Sequence, residues 1–329
     1  MWTAMNKKAI SGQPSADSTN SRWFTKWFAT VGQRTLRSGF SLTLLLFPLA
    51  ACLLFAPVSC GGKQAYVSPS HISASELNQK AGTAFLRKDY MKALELYGEA
   101  LRINRSMENS DGAAVGLINI AAVYREAGDR DNASEFLNKV LEEKDTGYAP
   151  VRLAGAAFLK ALLFMDLGDA GKASDWTQKA RAFCGKDACP LNGKLNNLDA
   201  RIALARKDYA AADAYGNAGL KSNRDLDDPE ETANSLRVLA ETGTRSGRFM
   251  EARRRFEEAL ALDKSLGSGP KVRADLMGLG RLSLKQDNKP EALSFFRRAL
   301  VVSESSGDGE GMLESSEMIR QCSTEPGKN

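Results

Sequence analysis

Apolar side chains recur at helical spacing. Leu236, Leu239, Ala240 and Gly243 make one stripe, and Phe249, Ala252, Phe256, Ala259 and Leu260 make the next, the i, i+3, i+4, i+7 signature of an amphipathic helix. No stretch alternates with period two over a convincing length, so the pattern predicts helices and no strands. The stripes are also phased over a longer distance. Ala93, Ala133, Ala173, Ala212, Ala252 and Ala292 stand 40, 40, 39, 40 and 40 residues apart. Seven positions after each come Ala100, Val140, Ala180, Gly219, Ala259 and Ala299; twelve positions before each come Ala81, Ala121, Ala161, Ala200, Ala240 and Gly280. A fixed period of this length marks a stacked-repeat architecture, with small residues where helices touch. Pro150, Pro190, Pro229 and Pro270 keep the same clock. Each stands just ahead of a helical stretch, where the first turn needs no N–H partner. Ser73-Ala74-Ser75-Glu76 and Asp228-Pro229-Glu230-Glu231 read as capping boxes at such starts.

This constellation resembles the tetratricopeptide repeat, whose helix pairs carry small residues at positions 8, 20 and 27, aromatics near 11 and 24 and a glycine near 15; Tyr97, Tyr124, Gly128, Ala133, Phe256 and Phe296 occupy such places. The longer period is similar to the extended repeats of kinesin light chain and related scaffolds. Repeats 3 and 4 fit less well than 1, 5 and 6. The resemblance implies an all-α, right-handed solenoid of about six helix-turn-helix units over residues 74–307, with a capping helix and tail over 308–329. It also implies that the first helix of each pair lines a concave groove. Carried over position by position, the groove residues are Ile118, Phe158, Leu162, Asn197, Arg201, Arg237 and Arg281, with Arg245 and Lys285 one place beyond. The middle of that groove is apolar and its C-terminal half cationic. The expected occupant is a protein or peptide segment with an apolar anchor and a carboxylate-bearing end, gripped by guanidinium forks. The alternative is that these arginines solvate a helix face or pair with acids such as Glu241.

Ahead of the repeats, Phe40 to Val58 reads FSLTLLLFPLAACLLFAPV without a charge, after Arg34 and Arg37 and before Cys60-Gly61-Gly62-Lys63. That is a positive n-region, an apolar segment and a small-residue zone, the layout of an export signal. Residues 1–38 are read as a disordered extension and n-region, 39–59 as the hydrophobic signal segment and 60–73 as a flexible tether. The segment resembles bacterial lipoprotein signals. Leu49-Ala50-Ala51-Cys52 fits the lipobox consensus, but cleavage there leaves Leu53, Leu54 and Phe55 on the mature end; Cys60 closes the apolar run, yet has Pro57 three residues before it. Cys60 is preferred and Cys52 stays open. An uncleaved anchor is the other reading, since about 20 apolar residues span a bilayer, although Pro48 and Pro57 would each interrupt its hydrogen bonds. Lipidation would hold an exported, periplasm-facing protein on a membrane of the bacterial cell envelope.

The net charge of +5 belongs to that leader, where Lys7, Lys8, Arg22, Lys26, Arg34 and Arg37 face only Asp17. The remaining chain is electrically balanced, which argues against nucleic-acid binding. A single histidine, His71, is placed in the tether, so histidine-based triads and zinc sites have nothing to build on. Cys184 and Cys189 are expected to form a small disulfide in an oxidising compartment, leaving Cys322 free. No cluster of titratable residues, phosphate loop or metal-ligand spacing is present. The sequence is therefore read as a non-catalytic envelope scaffold without cofactor, metal or small-molecule substrate, with a chaperone-like accessory to pilus or export assembly as the alternative.

Overall fold

The computed structural model describes residues 69–142, 147–185 and 189–323, and among them thirteen α-helices and no strand. Twelve form six successive pairs: α1 (Pro69–Leu86) with α2 (Tyr90–Ser106), α3 (Ser110–Glu126) with α4 (Arg130–Leu141), α5 (Pro150–Asp166) with α6 (Ala170–Cys184), α7 (Asn192–Ala205) with α8 (Tyr209–Asp225), α9 (Pro229–Arg245) with α10 (Phe249–Ser265), and α11 (Gly269–Lys285) with α12 (Lys289–Ser306). The last helix, α13 (Gly309–Ser323), caps α12. Each second helix packs on the first helix of the next pair, and first helices from α3 to α11 also touch their counterparts one repeat on. The result is the stacked α-solenoid that the period implied. Helix α1 begins earlier than the capping box at Ser73 suggested and takes in His71, which sequence placed in the tether.

Local chemistry explains the turns. The second residue of each three-residue turn within a pair has left-handed backbone: Gly128, Gly168 and Gly247 at φ 80°, 74° and 82°, and Lys88, Lys207 and Asp287 at φ 61°, 61° and 57°. Glycine enters this region without a Cβ penalty, and the other three residues hold it under strain. The next residue caps the second helix. Asp89, Asp129, Asp169, Asp208 and Asn288 each accept a hydrogen bond from the backbone N–H three residues on, which satisfies an orphan donor. Arg248 is the exception and makes no such cap.

The phased small residues sit where they were expected. All six alanines from Ala93 to Ala292 are buried, as are Ala81, Ala121, Ala161, Ala200 and Ala240. Gly280 takes the sixth of these places because the Phe296 ring lies against it, and a Cβ there would stand 2.3 Å from the ring. Gly278 is pressed as closely by Phe256. The apolar interior is one body from Ala81 to Ile202 across α1–α7 and a second from Ala240 to Ala299 across α9–α12, with smaller patches between. No described helix is long and apolar enough to cross a membrane. The signal segment, Cys52 and Cys60 lie outside the described residues.

Candidate functional site

The first helices of repeats 3 to 6 and the capping helix α13 surround a concave cavity of about 180 Å3. Phe158 and Leu162 of α5, Leu198 of α7, Val238 of α9 and Met277 of α11 form its apolar wall. Around them stand Lys194, Arg201, Glu241, Lys271, Arg273, Arg281 and Glu314. A cavity of about 150 Å3 accommodates a benzene ring, so this one has room for one large side chain.

Six of the nine groove residues read from sequence line this cavity: Phe158, Leu162, Asn197, Arg201, Arg237 and Arg281. Ile118 does not. It is buried inside the apolar body, on α3, one repeat before the cavity begins. Arg245 and Lys285 are exposed in the last turns of α9 and α11, outside the lining.

The arginines divide into interior struts and free groups. Arg237 is a strut: its side chain is 9% exposed. Its Nε donates to Asp275 at 2.7 Å and its Nη1 to Asn234 at 2.8 Å, while its Nη2 donates to Asp263. Two aspartates on α10 and α11 thus share one guanidinium from α9. Burial pushes the Asp275 carboxyl up to about 7 despite the pull of Arg237, and the adjacent Asp263 adds to the rise. The expectation that Arg237 grips a partner's carboxylate is corrected accordingly, because its donors are taken up within the fold. Arg281 is exposed but donates to Glu314 of α13, which also accepts from Arg273 at 2.5 Å. Arg201 alone of these arginines is half-buried in the cavity wall with no ion pair or hydrogen bond among the described residues. Glu241, one repeat on, is in the same condition.

Beneath the wall lies a polar ladder that sequence reasoning missed. Asn197 donates to the Oε2 of Glu231 at 2.9 Å and accepts from Ser235 at 2.6 Å. Lys271 donates to Asn234 at 2.8 Å. Burial pushes Glu231 up to about 8, tempered by Lys194 and Lys271. Burial, aided by Arg237, pushes Lys271 down to about 8. Lys194 and Asn234 fall at position 2 of their repeats and Glu314 at the same phase of α13, so the groove pattern contained them. Lys271 lies a turn earlier, on the part of the helix that the longer period adds. Elsewhere, Cys184 and Cys189 are joined across the α6–α7 junction with Cα atoms 5.4 Å apart, and Cys322 is free and partly buried, its thiol pushed up by burial.

The tetratricopeptide repeat sequence profile matches residues 72–142 and 231–305, repeats 1, 2, 5 and 6, and leaves out repeats 3 and 4, which fit the pattern less well. No curated protein sequence matches significantly. Among solved structures, the aspartyl phosphate phosphatase F of Bacillus subtilis is similar at a TM-score of 0.56 and 14% identity, over 80% of this chain and 72% of that one. A signal-transduction ATPase with a tetratricopeptide repeat sensor from Pyrococcus horikoshii gives 0.56 and 14%, over 77% of this chain but only 38% of its own length. PilW, described as a type IV pilus biogenesis factor, gives 0.50 and 16%, over 73% and 97%. At such identities these neighbours speak for the fold alone. Repeat phase, helix pairing and profile agree: the chain carries tetratricopeptide repeats, matched over residues 72–142 and 231–305, in a stacked helix-pair solenoid, and such repeats imply a protein-interaction scaffold.

Proposed function

We propose that the chain is a lipid-anchored, non-catalytic scaffold of the bacterial cell envelope that holds a peptide segment of another envelope protein in its concave cavity. The observation that carries the binding half is the pairing of an apolar pocket, walled by Phe158, Leu162 and Met277, with two charges that make no ion pair or hydrogen bond among the described residues, Arg201 and Glu241, the second within the field of Arg237. An extended segment supplies what these groups lack. Its apolar side chain fills the pocket, a carboxylate or backbone carbonyl accepts from Arg201, and a backbone N–H or other donor serves Glu241. The anchoring half rests on the uncharged run before Cys60, with Cys52 as the second candidate.

Two experiments test this reading. A photo-crosslinking side chain at Leu162 should join one envelope protein in high yield, and Arg201→Glu should cut that yield about ten-fold, the worth of one charge-assisted hydrogen bond. Equal labelling from the exposed Met250, or no effect of the Arg201 change, would reject the groove. Membrane fractionation of Cys60→Ser and Cys52→Ser addresses the anchor: one of them should release the precursor from processing, and normal processing of both refutes lipidation. The second reading is an accessory to pilus or export assembly, in keeping with the description of PilW. A transient crosslink to unassembled subunits, in place of a stable stoichiometric complex, would favour it.

A further inference from the structure

The two ends of the solenoid meet. Lys88, in the turn between α1 and α2, places its Nζ 3.3 Å from the Oδ1 of Asp308, in the turn between α12 and α13. The residues are separated by 220 positions. Asp308 is buried while Lys88 is half-exposed, and Asp308 also stands 3.3 Å from the Nε of Arg273 on the cavity wall. Tyr90, at the start of α2, reports the same approach: burial, with the carboxylates of Glu126, Glu310 and Asp308 facing it, pushes its phenol up to about 12. Glu126 at the end of α3 is raised by burial, while Arg125, Lys271 and Lys88 pull against that rise. Groups from α3, α11, α13 and both end turns therefore converge on one small polar junction. Two of its cations, Lys271 and Arg273, are also cavity-wall residues.

We infer that charge pairing between the first and last repeats latches the solenoid into a closed ring, and that opening this latch admits the partner to the cavity. The second clause rests on the groove reading above; the first stands on the contact itself. The contacts that cross this junction among the described residues are between side-chain charges, one of them half in water. Such pairs are individually weak and salt-sensitive. A ring held this way opens and recloses without unfolding any repeat. An acidic partner segment competing for Lys271 and Arg273 would weaken the same junction.

Lys88 offers a clean variant. Its backbone is left-handed, and repeats 2, 3 and 5 place Gly128, Gly168 and Gly247 at the equivalent position. Lys88→Gly removes the charge while relieving the turn, so loss of the contact would not be confused with loss of the fold. The experiment measures the distance between probes placed, in the full chain, at the exposed Met91 on α2 and Leu313 on α13 through unnatural amino acids. The parent at low salt should give one short, narrow distribution, and Lys88→Arg should keep it. Lys88→Gly and Lys88→Glu should shift the ratio of short to long distances about five-fold or more, the effect of losing an exposed ion pair at the upper end of its usual worth. Raising salt from about 0.01 to about 1 M, over which the screening length falls from about 30 to about 3 Å, should do the same in the parent. Unchanged helicity and an unfolding midpoint at or above the parent's would certify Lys88→Gly as folded. A distribution insensitive to Lys88→Glu and to salt, or a parent already extended, would overturn the latch. No partner is needed for this measurement, so it stands apart from the crosslinking at Leu162. If the ring opens in Lys88→Gly and crosslinking there does not rise, the gating clause fails and the latch remains.

Discussion

Repeats 1 to 3 and repeats 4 to 6 share one backbone plan and fill it differently. In the first half the interior between first helices is Leu117, Ile118, Phe158, Leu159 and Leu163, all buried in a continuous apolar body, and bidentate pairs close the α3–α5 interface only at its ends, Arg152 with Asp111 and Arg125 with Asp166. In the second half the same interfaces hold Asn197, Glu231, Arg237, Lys271 and Asp275, with Asp263 reaching in from α10, all buried but joined by ion pairs and hydrogen bonds. The small-residue frame fixes how helices stack; what lies between the first helices is free to vary. An apolar filling tolerates sliding and repacking, whereas shared guanidinium and carboxylate groups demand one arrangement to stay satisfied. The half that carries most of the cavity wall is the half whose interior, and not only the ends of its helices, is filled by directional contacts.

The largest expected effect separates the halves. Arg237→Ala leaves Asp263 and Asp275 buried without their cation and should destabilise the fold by about 3–5 kcal/mol. Hydrogen exchange should show the loss concentrated in α9 to α11, with α3 and α5 still protected, since repeat arrays lose structure unit by unit. Replacing Arg237, Asp263 and Asp275 together by apolar residues of similar volume should recover most of that loss. If Arg237→Ala costs less than about 1 kcal/mol in denaturant unfolding, the ionic filling is not structural and the contrast between the halves dissolves. In the first half Leu159→Ala should cost about 2–5 kcal/mol through lost burial and a residual cavity. That change creates no charge, so its cost should be the same at pH 5 and pH 8.

Acidity sharpens the same contrast. Glu231 and Asp275 are pushed up to about 8 and about 7, above their ordinary values, so the folded chain binds their protons more tightly than the unfolded chain does. Their contribution is complete below about pH 4 and is lost as the pH rises through 7 and 8. Lys271, pushed down to about 8, is penalised in its charged form, and that penalty is relieved only as the pH rises beyond 8. Between about pH 5 and pH 8 the carboxyls act alone and stability should fall. Unfolding midpoints measured across this window should decline in the parent, and Glu231→Gln should flatten the decline. A midpoint that rises over the window would contradict the buried, protonated state of these acids.

Why the frame was legible and the filling was not follows from distance along the chain. Ala93 and its five counterparts are set by contacts within one helix pair, so a 40-residue clock exposes them. Gly280 broke the alanine series in sequence for a reason only coordinates supply, the ring of Phe296 against it. Arg237 looked like a groove residue because its position is right. Its partners are 26 and 38 residues away on two other helices, beyond any local pattern. Arg245 and Lys285 were misplaced because, one place beyond the pattern, they fall on the exposed side of the last turns of α9 and α11. Lys194, Asn234 and Glu314 were within reach, since they share a repeat phase with the residues that were chosen. The contact of Lys88 with Asp308 has no sequence signal, because it depends on how far six small rotations carry the chain round.

The smallest effect tests the frame alone. Lys207 repeats the backbone of Lys88, with φ 61° in the turn between α7 and α8, but it is exposed and lies in the middle of the array, away from the junction of the ends. Left-handed backbone costs a residue with a side chain about 1–2 kcal/mol, and glycine's greater freedom in the unfolded chain returns about 0.5–1 kcal/mol of that. Lys207→Gly should therefore stabilise by about 0.5–1 kcal/mol and leave the Met91–Leu313 distance unchanged. Lys88→Gly should stabilise its turn equally, yet lengthen that distance. The two substitutions are the same chemistry at the same step of the repeat, so any difference between them belongs to what the side chain of Lys88 touches. Equal behaviour in both measurements would mean that the strained lysines are interchangeable and that the ends of the solenoid are not held together by charge.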